Sequence, residues 1–262
     1  MTNTISIGSL LKKWRKQRRY SQLQLSLELD ISSKHISFIE TGRSLPSKEM
    51  ILKICTFLGL TKREVNRLLN IAGYAPAYAA LSLSDKELKP VLEAINQIIE
   101  NHSPYPALVI DRNWDIVNAN NSANKLMTNL GFSAYTNLIE AIISDQPRQG
   151  HISKIINWYE ASSLVLMRLR EEINLLGEPK RLQALAEKLN ECLSSDEKSL
   201  YDEITHKDTQ KTVLSTRFKV NGEVLSFFSI IAQLGTVQDV TLSEFKVELM
   251  FPTDNATKNY YQ

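Results

Sequence analysis

Residues 22–43 concentrate side chains that could read a polyanion: Gln22, then Ser32, Ser33, Lys34, His35, Ser37 and Phe38, then Arg43. Hydroxyls, an amide, an ammonium and a guanidinium donate hydrogen bonds to phosphate oxygens and to base edges. At helical spacing, Ser33, Lys34, Ser37 and Phe38 point outward together, so they are what a DNA groove would meet. His35 lies in the same stretch and could touch a phosphate, although a lone histidine on a helix is usually structural. This is recognition chemistry. It needs a rigid helix held at a fixed angle to its neighbour.

The surrounding residues supply that frame. Ser21 can cap a short helix with Gln22 in its first turn and Leu25 and Leu29 spaced four apart on one face. Asp30 stands at a tight turn, where it tolerates a left-handed backbone. Ser32 can cap a second helix whose Ile36 and Ile39 face inward, and Gly42 ends it, with Arg43 and Lys48 flanking a Pro46-Ser47 break. Two caps, a turn and basic surroundings describe a helix-turn-helix whose second helix enters the major groove. From about Ile7 to Ala75 the pattern resembles the phage-repressor-like (XRE) class. The resemblance implies that the position of Gln22 touches a phosphate and that those of Ser33, Lys34 and Phe38 read base edges. Ser26 replaces the usual Ala and Asp30 the usual Gly, both mild departures.

Charge is divided in the same way. Residues 1–75 carry 13 Lys and Arg against 5 Asp and Glu, a net +8, while residues 76–262 carry 18 against 24, a net −6. A basic head on an acidic body fits phosphate binding by the head alone. Lys12, Lys13, Arg15, Lys16, Arg18 and Arg19 crowd the first helix, and some of them must be only a solvated face. Two cysteines far apart, Cys55 and Cys192, make no disulfide framework and point to a reducing cytosol. No apolar run reaches the roughly 18 residues that span a bilayer, and no basic-then-apolar leader is visible, so a cytoplasmic protein without a membrane segment is expected.

At 262 residues, with 43% hydrophobic content, two domains are expected, α+β overall. The first, residues 1–75, is all-helical. Ile7, Leu10, Leu11 and Trp14 pattern its first helix, Met50, Ile51, Ile54 and Leu58 its fourth, and Val65, Leu68, Leu69 and Ala72 its fifth, with Thr61 and Glu64 as a capping box. Residues 76–103 read as a connector and linker helix, opened by a second capping box at Ser84 and Glu87. Residues 104–255 then change character. Ala107 to Ile110 and Trp114 to Asn118 form a hairpin, followed by a helix. Helices are expected near 137–144, 151–174 and 179–192, and strands at 210–220, 223–233 and 241–251, the first two of these joined by Asn221-Gly222. The opening of this region resembles a PAS-type sensor fold.

Taken in order, the XRE-like head, RSLPSKEM, AGYAPAY, YPALVIDRNWDIVNAN and INWYEASSLVLMRLREEI resemble the bacterial regulators with an MmyB-like ligand-binding domain. The resemblance implies a PAS-like C-terminal domain that senses a small, fatty-acid-like molecule in an apolar pocket with one polar anchor, and no required cofactor. On the residues alone, the helix from His151 is the pocket wall, with Trp158, Leu164, Val165 and Met167 apolar and Arg168 and Arg170 able to hold a carboxylate. Such residues also build plain cores and solvated ion pairs. Asn118 and Asn120 read better as helix caps than as ligand contacts.

Catalysis finds no foothold: there is no phosphate-binding glycine loop, no GxSxG elbow and no Cys/His pair at zinc spacing, so neither catalytic nor metal residues are expected. The expected partners are double-stranded operator DNA, a small-molecule effector and a second copy of the chain on a palindromic site. Leu23 and Leu27 are either a contact with a partner or with the body of the same chain, or ordinary packing against Tyr20 or the helix after Gly59. Two readings stay open: a ligand-responsive DNA-binding regulator, and one whose second domain only dimerises or docks a protein.

Overall fold

In the computed structural model, residues 6–177, 179–193, 214–235 and 237–262 are described. They form two compact units. One comprises Met1–Ala80 with Glu172–Pro179 and Gln238–Val240, the other Leu81–Glu171, Lys180–Val237 and Thr241–Gln262.

In the first unit run α1 (Ile7–Gln17), α2 (Gln22–Glu28), α3 (Ser33–Glu40), α4 (Lys48–Phe57) and α5 (Lys62–Ile71). Each opens on a hydroxyl that accepts the N–H three residues on, from Ser6, Ser21, Ser32, Ser47 and Thr61 in turn. Each such cap contributes about 1 kcal/mol. At Ser21 the box is reciprocal, with Gln24 reaching back to the Ser21 N–H. Asp30 turns the chain between α2 and α3 at φ 54°, the left-handed value expected of it. Leu25, Ile36, Ile39, Ile51, Ile54 and Leu68 meet in the core. Gly8 lets α1 press onto the end of α3: a Cβ there would lie 2.2 Å from the Ile39 carbonyl oxygen.

The second unit is an antiparallel five-stranded sheet of order β2-β1-β5-β4-β3, with helices. Its strands are β1 (Ala107–Ile110), β2 (Ile116–Ala119), β3 (Thr216–Val220), β4 (Glu223–Gln233) and β5 (Lys246–Pro252). Its helices are α6 (Lys89–Asn101), α7 (Asn121–Leu130), α8 (Leu138–Ser144), α9 (Trp158–Leu176), α10 (Lys180–Cys192) and α11 (Asn255–Tyr261), the last residues of α9 belonging to the first unit. The overall class is α+β, as the sequence predicts. Asn221 and Gly222, at φ 50° and 88°, join β3 to β4 through the left-handed turn that Asn-Gly favours. Asn120 caps α7 by accepting the Ala123 N–H at 2.9 Å. Ile95 and Ile99 of α6 pack with Ala107, Val109, Phe245 and Val247 in the core behind the sheet.

Some expected boundaries move. Helix α9 starts at Trp158 instead of residue 151, because residues 153–156 are held extended alongside β3. The Ile156 N–H donates to the Arg217 carbonyl and the Lys219 N–H to that of Lys154, both at 2.7 Å. Buried Asp145 accepts from Ser153 Oγ and from the N–H groups of Lys154 and Ile155 at 2.6–3.2 Å, which prevents helix there. The expected box at Ser84 is absent. Asp85 takes the N-cap position without a side-chain bond, a 3-10 turn fills Lys86–Leu88, and Pro90 occupies the first turn of α6. A second 3-10 turn, Leu242–Glu244, delays β5 to Lys246. Residues 210–213 of the expected strand lie outside the described residues. Helix α11, capped by Asp254, is too short and polar to be read from the sequence.

Candidate functional site

On the first unit, α3 presents the expected surface. Ile36 and Ile39 are buried, Ser32, Ser33, Lys34 and Arg43 exposed, and His35, Ser37 and Phe38 half-buried. Phe38 gathers the cations: Lys34 Nζ lies 5.6 Å and Arg43 Cζ 5.8 Å from its ring centroid. Arg43 and Ser44 also donate their N–H groups to the Phe38 carbonyl, which fixes the loop after α3. Ser32 spends its hydroxyl as the α3 cap, accepting the His35 N–H at 3.2 Å. Gln22 is turned inward, its amide donating to Glu40 Oε2 at 2.7 Å.

That Glu40 is the centre of a network the sequence did not disclose. Arg15 grips both its carboxylate oxygens, at 2.6 and 2.8 Å, and spends a third donor on the Tyr20 carbonyl. Burial by itself would raise the Glu40 pKa, but hydrogen bonds from Arg15 and Gln22 and the Arg15 charge outweigh it and hold the carboxyl below its usual range. Arg18 donates to the Leu58 carbonyl at 2.9 Å and lies 5.2 Å from the Trp14 ring centroid. Two of the six cations around α1 therefore serve the interior of the head.

In the second unit a cavity of about 120 Å³ lies between the sheet and α7, α8 and α9. Leu126, Leu130, Ile142, Val165, Phe218 and Met250 give it apolar walls, and Arg168, Glu248, Ser229 and Thr216 give it polar atoms. Trp114 forms one side, in a backbone conformation that a bulky residue rarely adopts, φ 65°. The turn leaves it no alternative. The Asp111 carboxylate accepts the N–H groups of Asn113 and Asp115, Trp114 bonds the Asp111 carbonyl, and Leu138 bonds the Trp114 carbonyl at 3.0 Å. Buried Asn137 locks the turn to α8: its amide donates to Asn113 O and Asp115 Oδ1 while its oxygen caps the helix. The Arg168 guanidinium carbon is 4.4 Å and Lys246 Nζ 4.8 Å from the Trp114 ring centroid.

Of the wall residues proposed from the sequence, Val165 and Arg168 line this cavity, on one stripe with Ala161. Trp158, Leu164, Met167 and Arg170 do not. Trp158 is 1% exposed and donates its indole N–H to the Ile142 carbonyl at 2.8 Å, which makes it a core residue. Leu164 and Met167 each sit one residue, about 100°, around the helix from the stripe. Arg170 is exposed and donates to Asn190 Oδ1. Sequence reading missed Trp114 and Glu248. For Glu248 the available signal was a charged residue, alternating with Lys246, in an otherwise apolar strand; for Trp114 there was none.

Comparison with known families agrees with both halves of this description. A helix-turn-helix family matches residues 11–65, and the MmyB-like transcription regulator ligand binding domain matches residues 91–262, most of the chain. The chain belongs to the MmyB-like transcription regulators. No curated protein matches it. This regulator is thus a DNA-binding protein with a ligand-binding domain. Among its described residues no helix is long and apolar enough to cross a membrane, and no cluster of three or more His, Cys, Asp or Glu could hold a metal.

Proposed function

We propose that this regulator binds a palindromic operator as a homodimer and that a small apolar, fatty-acid-like molecule in the second unit sets its operator affinity. The observation that supports this most is the cavity itself: apolar walls converge on a few polar atoms, the usual build of a small-molecule site. Its volume is close to that of the engineered cavity of about 150 Å³ that holds benzene, so a longer chain must widen it or extend beyond its mouth. The dimer rests on half-site geometry, since a helix-turn-helix head reads one half-site and two heads read a turn of DNA. Leu23 and Leu27, 60% and 72% exposed, offer apolar surface for that partner instead of packing within the head.

Ligand and operator must be coupled through differential affinity for two arrangements of the protein, typically by about 5- to 150-fold. The test uses delipidated full-length chain, an operator selected from random DNA, and octanoate, octanamide and 1-octanol as probes. At least one probe should bind and shift operator affinity, and operator should shift that probe's affinity by the same factor. Binding without any shift would leave a pocket but no sensor. Binding of none would favour a second unit that serves only dimerisation or protein docking.

A further inference from the structure

The cavity wall makes a narrower demand on its ligand than apolarity. Glu248 lies on β5, which is paired with β1 on one side and β4 on the other, so its side chain is committed to one face of the sheet, the face lining the cavity. Its Oε2 is buried and accepts no hydrogen bond from the described residues. A buried carboxylate oxygen without a donor is costly, and the cost is relieved by whatever brings an N–H or O–H to it. The same wall carries Arg168, whose guanidinium can only donate. Lys246, the other cation near Trp114, does not line the cavity. Among the described residues, the lining therefore carries one guanidinium and one carboxylate, a hydrogen-bond donor and an acceptor on the same wall.

Resting on the reading of this cavity as the ligand site, we propose that it selects a neutral amphiphile whose head bears a hydrogen-bond donor next to an acceptor, such as a carboxamide, with Glu248 reading the donor. A bare carboxylate fits only half of this wall. It could accept from Arg168, but it brings no donor for Glu248 and places a second negative charge beside it.

The test compares octanamide with octanoate, equal in chain length and differing in the head, by calorimetric titration of delipidated full-length protein. Octanamide should bind about tenfold tighter or more. Glu248→Gln, which replaces one acceptor oxygen by an N–H donor, should reverse or abolish the preference, and Glu248→Leu should abolish it by weakening octanamide and by relieving octanoate of the neighbouring negative charge. Octanoate binding as tightly as octanamide to the wild type would overturn the proposal while leaving the ligand site in place. A preference that survives unchanged in Glu248→Gln would overturn the role of Glu248. If neither amphiphile nor 1-octanol binds, the site itself is lost and the proposal with it.

Discussion

Each unit shields a glutamate oxygen from solvent, in the head against an arginine and in the second unit on a cavity wall that also carries one, and the two environments differ in completeness. In the head, Glu40 receives two bonds from Arg15 and one from Gln22, and Arg15 spends its remaining reach on the Tyr20 carbonyl. In the second unit, Glu248 shares a cavity wall with Arg168 yet keeps a buried oxygen that no described residue satisfies. A carboxylate with its donors in place is a structural member, and it holds α1 and α3 at the angle the recognition helix needs. A carboxylate left short of donors beside a cavity is addressed to something that enters. Satisfaction of hydrogen bonds, more than burial or charge, separates a strut from a site.

The comparison breaks first at Glu40. Removing one partner of a buried pair leaves the other charged and desolvated, so Glu40→Leu should cost about 3–5 kcal/mol, while the joint change Arg15→Met with Glu40→Leu should recover much of it. Urea unfolding, with amide exchange resolved to residues 6–80, measures both. The pH dependence carries a defined sign. Because the folded pKa of Glu40 is lowered, its contribution is fully present above the ordinary value of 4.5 and is lost as the pH falls through the lower folded value. The stability gap between wild type and Glu40→Gln should therefore shrink on acidification below 4.5. A gap independent of pH would mean that the Glu40 charge does not hold the head.

A smaller effect tests whether the frame and the reading surface are separable. Lys34 is exposed, takes no part in the Glu40 network, and lies over Phe38 where a groove would meet it. Lys34→Ala should leave stability unchanged and weaken binding to a selected operator by about 1–3 kcal/mol, with altered sequence preference. Weaker binding without altered preference, at fixed salt, would assign Lys34 to a phosphate instead of a base.

What the sequence disclosed follows from the range of the forces involved. Caps, turns and apolar periodicity act over a few residues, which is why residue type and spacing alone place Ser21, Asp30, Ser32 and Asn221-Gly222. Long-range partners leave no such mark. Arg15 and Glu40 are 25 residues apart, and nothing local says that this arginine, among the cations of α1, is internal. The cavity is legible only in part for the same reason. Helical spacing finds Val165 and Arg168 on α9, but Trp158 looks identical by type and spacing and is satisfied by the Ile142 carbonyl. Trp114 and Glu248 lie on a hairpin and a central strand brought to α9 only by the tertiary fold. The start of α9 is misplaced because Asp145 captures the backbone N–H groups of Lys154 and Ile155, between His151 and Trp158.

The finest test asks whether Glu248 costs the protein stability when no ligand is bound. If its Oε2 is left without a donor, replacing the side chain by an apolar one of similar size removes a desolvation penalty and loses no bond to that oxygen. Such an exchange is nearly neutral or stabilising, whereas loss of a satisfied partner is not. Glu248→Leu in delipidated protein should therefore raise the unfolding free energy of the second unit by up to about 1 kcal/mol. That is opposite in sign to Glu40→Leu, for the same pair of residue types in the same chain. With saturating octanamide the order should invert, because only wild type gains the ligand's donor, and at a given concentration the tighter ligand stabilises more, as the logarithm of its affinity. A destabilisation by Glu248→Leu comparable to that of Glu40→Leu would show that Glu248 is a second strut, and the distinction between the two carboxylates would fall.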